Sequence, residues 1–299
     1  MLEELRALGR GDGIAAIGRL SGGSIADAWL ITYADGAEVV GKTVTAAALP
    51  GVFAVEAAGL AALRATGHLI TPRVLAVTSR LLLLEALAPC PDGERSWAGF
   101  ARDLAAAHRG PAGRRFGWHR DGYLGRFRQV NTWTDDGHEF FAEHRLLRYL
   151  SEPLAGQVLT AADRRAVERL GARLPELIPA MPAVLTHGDL WAGNLVSRPG
   201  GRIAVIDPAV SYTWAEVDLS MLWCSPRPPA ADRFFEVYSE LSPSPPGWAD
   251  RMPVLHLREL LSMIATFGPE AVASITQARD ILAPFYPRRR DAPGDQRPR

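Results

Sequence analysis

An α+β fold of two lobes is what this sequence predicts: a small antiparallel-sheet lobe carrying one helix, followed by a larger α-rich lobe. Three observations predict it. Residues 14–45 alternate apolar and polar residues around glycine-bearing turns; one Ala/Leu-rich helical stretch follows; and after residue 93 the apolar spacing becomes helical and largely stays so. In order, Ile14–Leu20, Ala28–Tyr33 and Glu38–Thr43 read as strands, joined by the turn Ser21-Gly22-Gly23-Ser24 and by an Asp35-Gly36 hairpin. Ala54–Ala65 reads as the helix, with Glu56, Leu60 and Leu63 near one face. Val74–Val77 and Leu81–Glu85 complete a five-strand set, and Ala86–Asp92 leads out of the lobe. Beyond it, Trp97, Phe100, Ala101, Leu104, Ala105 and His108 recur at helical spacing, and His108 on that face reads as a satisfied core histidine. Thr134–Leu150, Thr160–Leu177, Ala215–Trp223, Ala231–Leu241, Val254–Phe267 and Glu270–Leu282 read as further helices. The expected division is residues 1–88, residues 89–286, and a disordered Pro/Arg/Asp-rich tail over 287–299.

Composition narrows the function classes. A chain of 299 residues with 47% hydrophobic content can bury a large core. Its 33 basic residues balance 33 acidic ones, which argues against an extended nucleic-acid surface. The stretch Val74–Leu87 is broken by Arg80 and Glu85, so no membrane span is expected, and Glu3 and Glu4 argue against a signal peptide. Cys90 and Cys224 show neither metal-ligand spacing nor a disulfide framework, which fits a reducing cytoplasm. A monomer is the expectation.

The most informative segment is His187-Gly188-Asp189-Leu190-Trp191-Ala192-Gly193-Asn194, followed thirteen residues after the asparagine by Asp207 at the end of an apolar run. H-x-D-x-x-x-x-N with a later aspartate is the spacing of kinase-like phosphotransferases. Phosphoryl transfer needs a carboxylate to take the hydroxyl proton and oxygen ligands to hold Mg²⁺ against nucleotide phosphates. Asp189 and Asn194 share one short loop, and a hairpin over residues 195–206 returns Asp207 to the same place.

Counting adds a second signal. Of the 33 basic residues only Lys42 is a lysine, and the asparagines are only Asn131 and Asn194. A composition that otherwise uses arginine keeps a lysine where arginine will not serve. A kinase needs one such compact point charge on a strand, touching phosphates and paired with a helix glutamate. Lys42 ends a predicted strand, and Glu56 lies on the next helix.

Several segments together resemble the fructosamine kinase (ketosamine-3-kinase) family, relatives of the aminoglycoside phosphotransferases within the protein-kinase-like fold. They are Gly22-Gly23-Ser24-Ile25, Lys42, the insert Phe116–Gly125, Asn131-Thr132-Trp133, the helix Glu139–Leu146, the string His187–Asn194 with Trp191, Asp207-Pro208-Ala209, and Glu216–Leu219. The resemblance runs from about residue 14 to about residue 285. It implies ATP and Mg²⁺ as cofactors and phosphorylation of the 3-hydroxyl of a ketosamine, on a glycated small amine or protein, as a deglycation activity. Where the family shows Gly-His-Arg, this chain has Thr213-Trp214-Ala215, a segment that could touch substrate. Ser24 replaces a cysteine that gives some relatives redox sensitivity, so no such switch is expected.

On this reading Asp189 is the general base, and Asn194 and Asp207 hold the metal. Gly22, Gly23, Ser24, Lys42 and Glu56 serve the phosphates. Ala86 and Leu87, with Glu85 adjacent, offer backbone groups to adenine. His187 and Asp218 brace the catalytic loop. A ketosamine carries a cationic secondary amine, so acidic or aromatic side chains are expected around it; Trp191, Trp214, Glu143 and Glu216 are candidates. Two alternatives remain: a kinase of another small alcohol, such as an aminoglycoside or choline-like amino alcohol, or a silent nucleotide-binding protein.

Overall fold

The alternation in Ile14–Leu20 (β1), Asp27–Tyr33 (β2) and Glu38–Thr43 (β3) folds as an antiparallel meander. The computed structural model describes residues 1–20, 26–44, 49–242 and 244–287. The glycine turn expected at 21–24 and the tail over 288–299 lie outside the described residues. Strands β4 (Val74–Val77) and β5 (Leu81–Glu85) complete a five-stranded sheet in the order β1-β2-β3-β5-β4. Successive side chains on a strand face opposite ways, so the register decides which face Lys42 takes. Val40 pairs with Leu84 and Lys42 with Leu82, placing these four on one face. That face packs against helix α2 (Val52–Ala65) through Phe53 and Leu60. Val39, Leu81 and Leu83 point the other way, into a core closed by Leu5 of the short helix α1 (Leu2–Ala7), which the sequence reading had not assigned.

The chain leaves through a two-residue strand, β6 (Ala88–Pro89), which pairs with β10 (Leu195–Arg198) of the hairpin β10–β11 (Arg202–Val205). This pairing was not foreseen, and it fixes the predicted catalytic hairpin under the inter-lobe connection. Around it lie α3 (Glu94–His108), the hairpin β7–β8 (Gly122–Leu124, Phe127–Gln129), α4 (Gly137–Phe141), α5 (Pro153–Val158), α6 (Ala161–Ala172) and α7 (Leu174–Leu177). The strand pair β9 (Val184–Thr186) and β12 (Ser211–Thr213) brackets the hairpin. Helices α8 (Glu216–Cys224), α9 (Ala231–Leu241), α10 (Trp248–Phe267) and α11 (Val272–Leu282) enclose the main core. None of the described helices is long and apolar enough to cross a membrane.

Several predicted helices change shape for local reasons. Asp136 accepts from the backbone N–H groups of His138 and Glu139, so α4 starts at Gly137 rather than at Thr134. The coil then widens into a π turn over Ala142–Leu146 and tightens to 3₁₀ over Leu147–Ser151. Thr160 and Asp163 form the reciprocal cap that starts α6. Pro175 lacks the N–H that would continue the ladder, and α6 stops at Ala172, with Leu174–Leu177 a separate turn. Helix α10 begins at Trp248, six residues before the predicted start, and carries Pro253 inside it.

Two substrate candidates are corrected here. Trp214 is 1% exposed and sits amid Phe116, Phe141 and His138, with ring centroids 5.8, 5.6 and 5.1 Å away. It fills the core, and the Thr213-Trp214-Ala215 departure therefore falls largely in packing rather than at a substrate surface: Thr213 is also buried. Glu216 is 1% exposed and forms a two-point ion pair with Arg251, whose Nε donates to Oε2 at 2.9 Å. That pair ties α8 to α10. Removing one partner of a buried pair strands the other, at about 3–5 kcal/mol. Glu216→Gln should therefore lower the melting temperature substantially while leaving the KM of the folded enzyme for its acceptor unchanged; a stable variant with a raised acceptor KM would return Glu216 to the substrate site.

Candidate active site

Lys42 and Glu56 meet because strand register and helix face agree: the Nζ of Lys42 donates to Glu56 Oε1 at 2.6 Å. The same ammonium donates to Asp207 Oδ1. Lys42 is 8% exposed, so the lone lysine is a buried group with two carboxylate partners. Burial works against the charged form, but Glu56 and Asp207 outweigh it and hold the ammonium above its ordinary pKa. Burial lifts the Glu56 carboxyl, with Lys42 opposing. Helix α2 is held close to the Asp207 segment at Gly59, where an added Cβ would stand 3.0 Å from Pro208 Cγ.

The loop between β9 and β10 is fixed from beneath. Asp218, in the first turn of α8 and fully buried, accepts from the backbone N–H groups of His187 and Gly188, both at 2.8 Å. Burial would raise this carboxyl, but His108, His187 and the Gly188 N–H together hold it below the usual range. His108 stands 3.2 Å from Asp218 and 2.8 Å from the Tyr238 hydroxyl, so it is a satisfied core histidine that also supports the loop. His187 Nδ1 accepts from the Asp189 N–H at 3.2 Å, which leaves Nε2–H to donate to the Ile206 carbonyl at 2.8 Å. The ring is thus neutral, as its lowered pKa from burial agrees. Gly188 has φ +79, and a Cβ there would overlap the Ala209 carbonyl oxygen, so only glycine fits.

Above this frame, Asn194 Nδ2 donates to the Asp189 carbonyl at 2.8 Å and to its Oδ2 at 3.0 Å. Ile206 N–H donates to the Asn194 carbonyl at 3.0 Å, which draws the Asp207 segment alongside. Asp207 itself adopts φ 56, the only left-handed non-glycine backbone among the described residues. Such strain concentrates at functional sites. Burial and the negative charge of Glu259 push Asp189 well above the usual carboxylate range, with Arg258 and Asn194 opposing.

The remaining expected residues divide. Trp191 is 42% exposed, and its ring lies so close over Gly193 that a Cβ there would overlap it. It offers an open aromatic face beside Asp189. Glu85 turns its carboxylate to the Arg73 N–H at 3.0 Å and to Arg198 at 2.7 Å, so it is its backbone, with Ala86 and Leu87, that can serve a base. Glu143 is exposed on the π turn and makes no hydrogen bond to the catalytic loop among the described residues. Gly22, Gly23 and Ser24 lie outside the described residues. The sequence reading missed Arg258, which is 1% exposed and donates through Nη2 to the Gly188 carbonyl, and its neighbour Glu259. The signal was present: two adjacent charges in the apolar run Leu255–Leu261 of a helix.

Comparison with known proteins places this arrangement. The sequence pattern of the family described as fructosamine kinase matches residues 5–283. The chain belongs to the fructosamine kinase family. It is 34% identical over 233 residues to the "Probable ketoamine kinase" of Synechocystis sp., covering 73% of this chain and 74% of that one. It is 29% identical over 229 residues to the chloroplastic protein-ribulosamine 3-kinase of Oryza sativa subsp. japonica, covering 73% of this chain and 65% of the relative. The crystal structure of the "putative fructosamine-3-kinase" of Thermobifida fusca superposes with a TM-score of 0.81 at 32% identity, covering 90% of this chain and 94% of that one.

Kinases of this family imply ATP, with Mg²⁺, and the donor chemistry fits. Asn194 spends its amide nitrogen on Asp189, leaving Oδ1, and Asp207 spends Oδ1 on Lys42, leaving Oδ2. Mg²⁺ prefers hard oxygens and takes one or two protein ligands beside substrate phosphates.

The two aspartates should separate on mutation. Asp207→Ala should weaken Mg-ATP binding, whereas Asp189→Ala should leave it nearly intact and lower the transfer rate by about 10²–10⁴-fold. Equal loss of nucleotide affinity in both, measured by titration calorimetry, would contradict distinct roles.

Proposed function

We propose that this protein is an ATP-dependent kinase that phosphorylates the 3-hydroxyl of ketosamines, the fructosamine or ribulosamine adducts of amines and proteins, and so serves deglycation. One observation carries the reading: Lys42, Asp189, Asn194 and Asp207 meet at one braced site in a chain of the fructosamine kinase family. Residues 1–88 are proposed as the nucleotide-binding lobe and residues 89–286 as the catalytic and substrate lobe. The two cysteines are unbridged, in keeping with a reducing cytoplasm.

In this reading Lys42 holds phosphate oxygens as a point charge, kept in place by Glu56. Asn194 and Asp207 would hold the Mg²⁺, which neutralises charge developing on the phosphates. Asp189 accepts the proton of the attacking hydroxyl, and its raised affinity for a proton suits it to that task. Asn194 orients Asp189 through the bond to Oδ2, while Asp218 keeps the loop from shifting. Trp191 walls the sugar side.

The test is ADP release with Mg-ATP against a panel of ribulosamines, fructosamines, aminoglycosides and choline. Turnover confined to the ketosamines is expected. Turnover of choline or an aminoglycoside with none on any ketosamine would overturn the assignment.

A further inference from the structure

Glu259 stands apart from every other acidic side chain near the catalytic loop because nothing answers it. Its Oε2 is closed off from solvent and has no hydrogen-bond partner among the described residues. The basic group next to it is turned elsewhere. Arg258, its chain neighbour, turns Nη2 to the Gly188 carbonyl. A carboxyl removed from water without a donor costs stability, and burial accordingly pushes Glu259 above its ordinary range, with Arg258 opposing.

Its place gives that cost a purpose. The Arg258–Gly188 bond seats α10 directly against the residue before Asp189, and Glu259 is the next residue of that helix. Glu259 as a whole remains partly exposed while its Oε2 is closed off. What the enclosed Oε2 lacks, on the helix held against the loop that carries Asp189, is a cation with an N–H to give.

We propose that Glu259 receives the cationic amine of the acceptor and so makes this enzyme select amine-bearing sugar adducts over neutral ones. The inference rests on the ketosamine reading above. In such an adduct three carbons separate the 3-oxygen from the amine nitrogen, so a hydroxyl placed at Asp189 carries the ammonium only a short step away, to the neighbouring carboxyl. A protonated secondary amine supplies the missing donor and the compensating charge together. An ether oxygen at the same position supplies neither, and sets an acceptor lone pair against a carboxylate.

The experiment compares two acceptors: an N-alkyl 1-amino-1-deoxyfructose and the matching 1-O-alkyl fructose, in which an ether oxygen replaces the amine. Kinetic constants are measured for the wild type, Glu259→Gln and Glu259→Asp with Mg-ATP. The wild type should prefer the amine. A charge-assisted hydrogen bond is worth ~10–100-fold in affinity, so Glu259→Gln should reduce that preference by this factor, mainly through the KM of the amine acceptor. Glu259→Asp should retain part of it. The Glu259→Gln protein should melt at the same temperature or higher, since it loses an unanswered buried carboxyl. An equal loss on both acceptors, or an undiminished preference in Glu259→Gln, would overturn the proposal while leaving the ketosamine reading standing. A wild type that turns over neither acceptor would overturn that reading, and this inference with it.

Discussion

The buried ammonium of Lys42, gripped by Glu56 on one side and Asp207 on the other, is the interaction on which the rest of the site depends. Three segments far apart in sequence supply it: the central strand of the sheet, helix α2 packed on one face of that sheet, and the turn after the catalytic hairpin. Taking an ammonium out of water costs several kcal/mol unless it is paired and hydrogen-bonded. Two carboxylates offset that cost only if all three segments hold their places. Hence the close approach of α2 to Pro208 at Gly59, and hence a left-handed backbone at Asp207 that the surrounding structure must sustain. The Tyr123 hydroxyl, on the β7–β8 hairpin, donates to the Pro50 carbonyl just ahead of α2 and adds a further tie between the lobes.

A second frame holds Asp189, the proposed general base. Asp218 fixes two consecutive backbone N–H groups, His187 reaches across to the Ile206 carbonyl, and Arg258 takes the Gly188 carbonyl. Each bond leaves Asp189 fewer positions, and a general base works only from the right one. Asp189 therefore sits on a largely buried, braced platform; Trp191 and the unspent oxygens of Asn194 and Asp207 are the groups proposed to meet ligands beside it. Glu259 is the exception to that economy, a carboxyl placed against the platform with no partner of its own.

Much of this was legible in the sequence, for identifiable reasons. The spacing of His187, Asp189, Asn194 and Asp207 is a local property of one loop and one hairpin, so the linear string carries it. Lys42 was legible through composition, since a chain rich in arginine kept one lysine. What failed was inference from proximity along the chain. Trp214 and Glu216 lie close after Asp207, yet one is drawn into an aromatic core and the other to Arg251, thirty-five residues on. Nothing local announces such a partner. Glu259 was overlooked for the same reason: its meaning comes from the loop across from it, seventy residues away.

The most direct test of this account is Lys42→Arg, assayed by ADP release with Mg-ATP and a ketosamine. The substitution keeps the charge and uses the residue this chain prefers everywhere else. A planar guanidinium does not fit a buried site shaped by two carboxylates around a compact ammonium. Losing a preorganised charge at the phosphates should lower kcat/KM by about 10²–10³-fold or more. A folded Lys42→Arg enzyme with full activity would contradict the account at its centre.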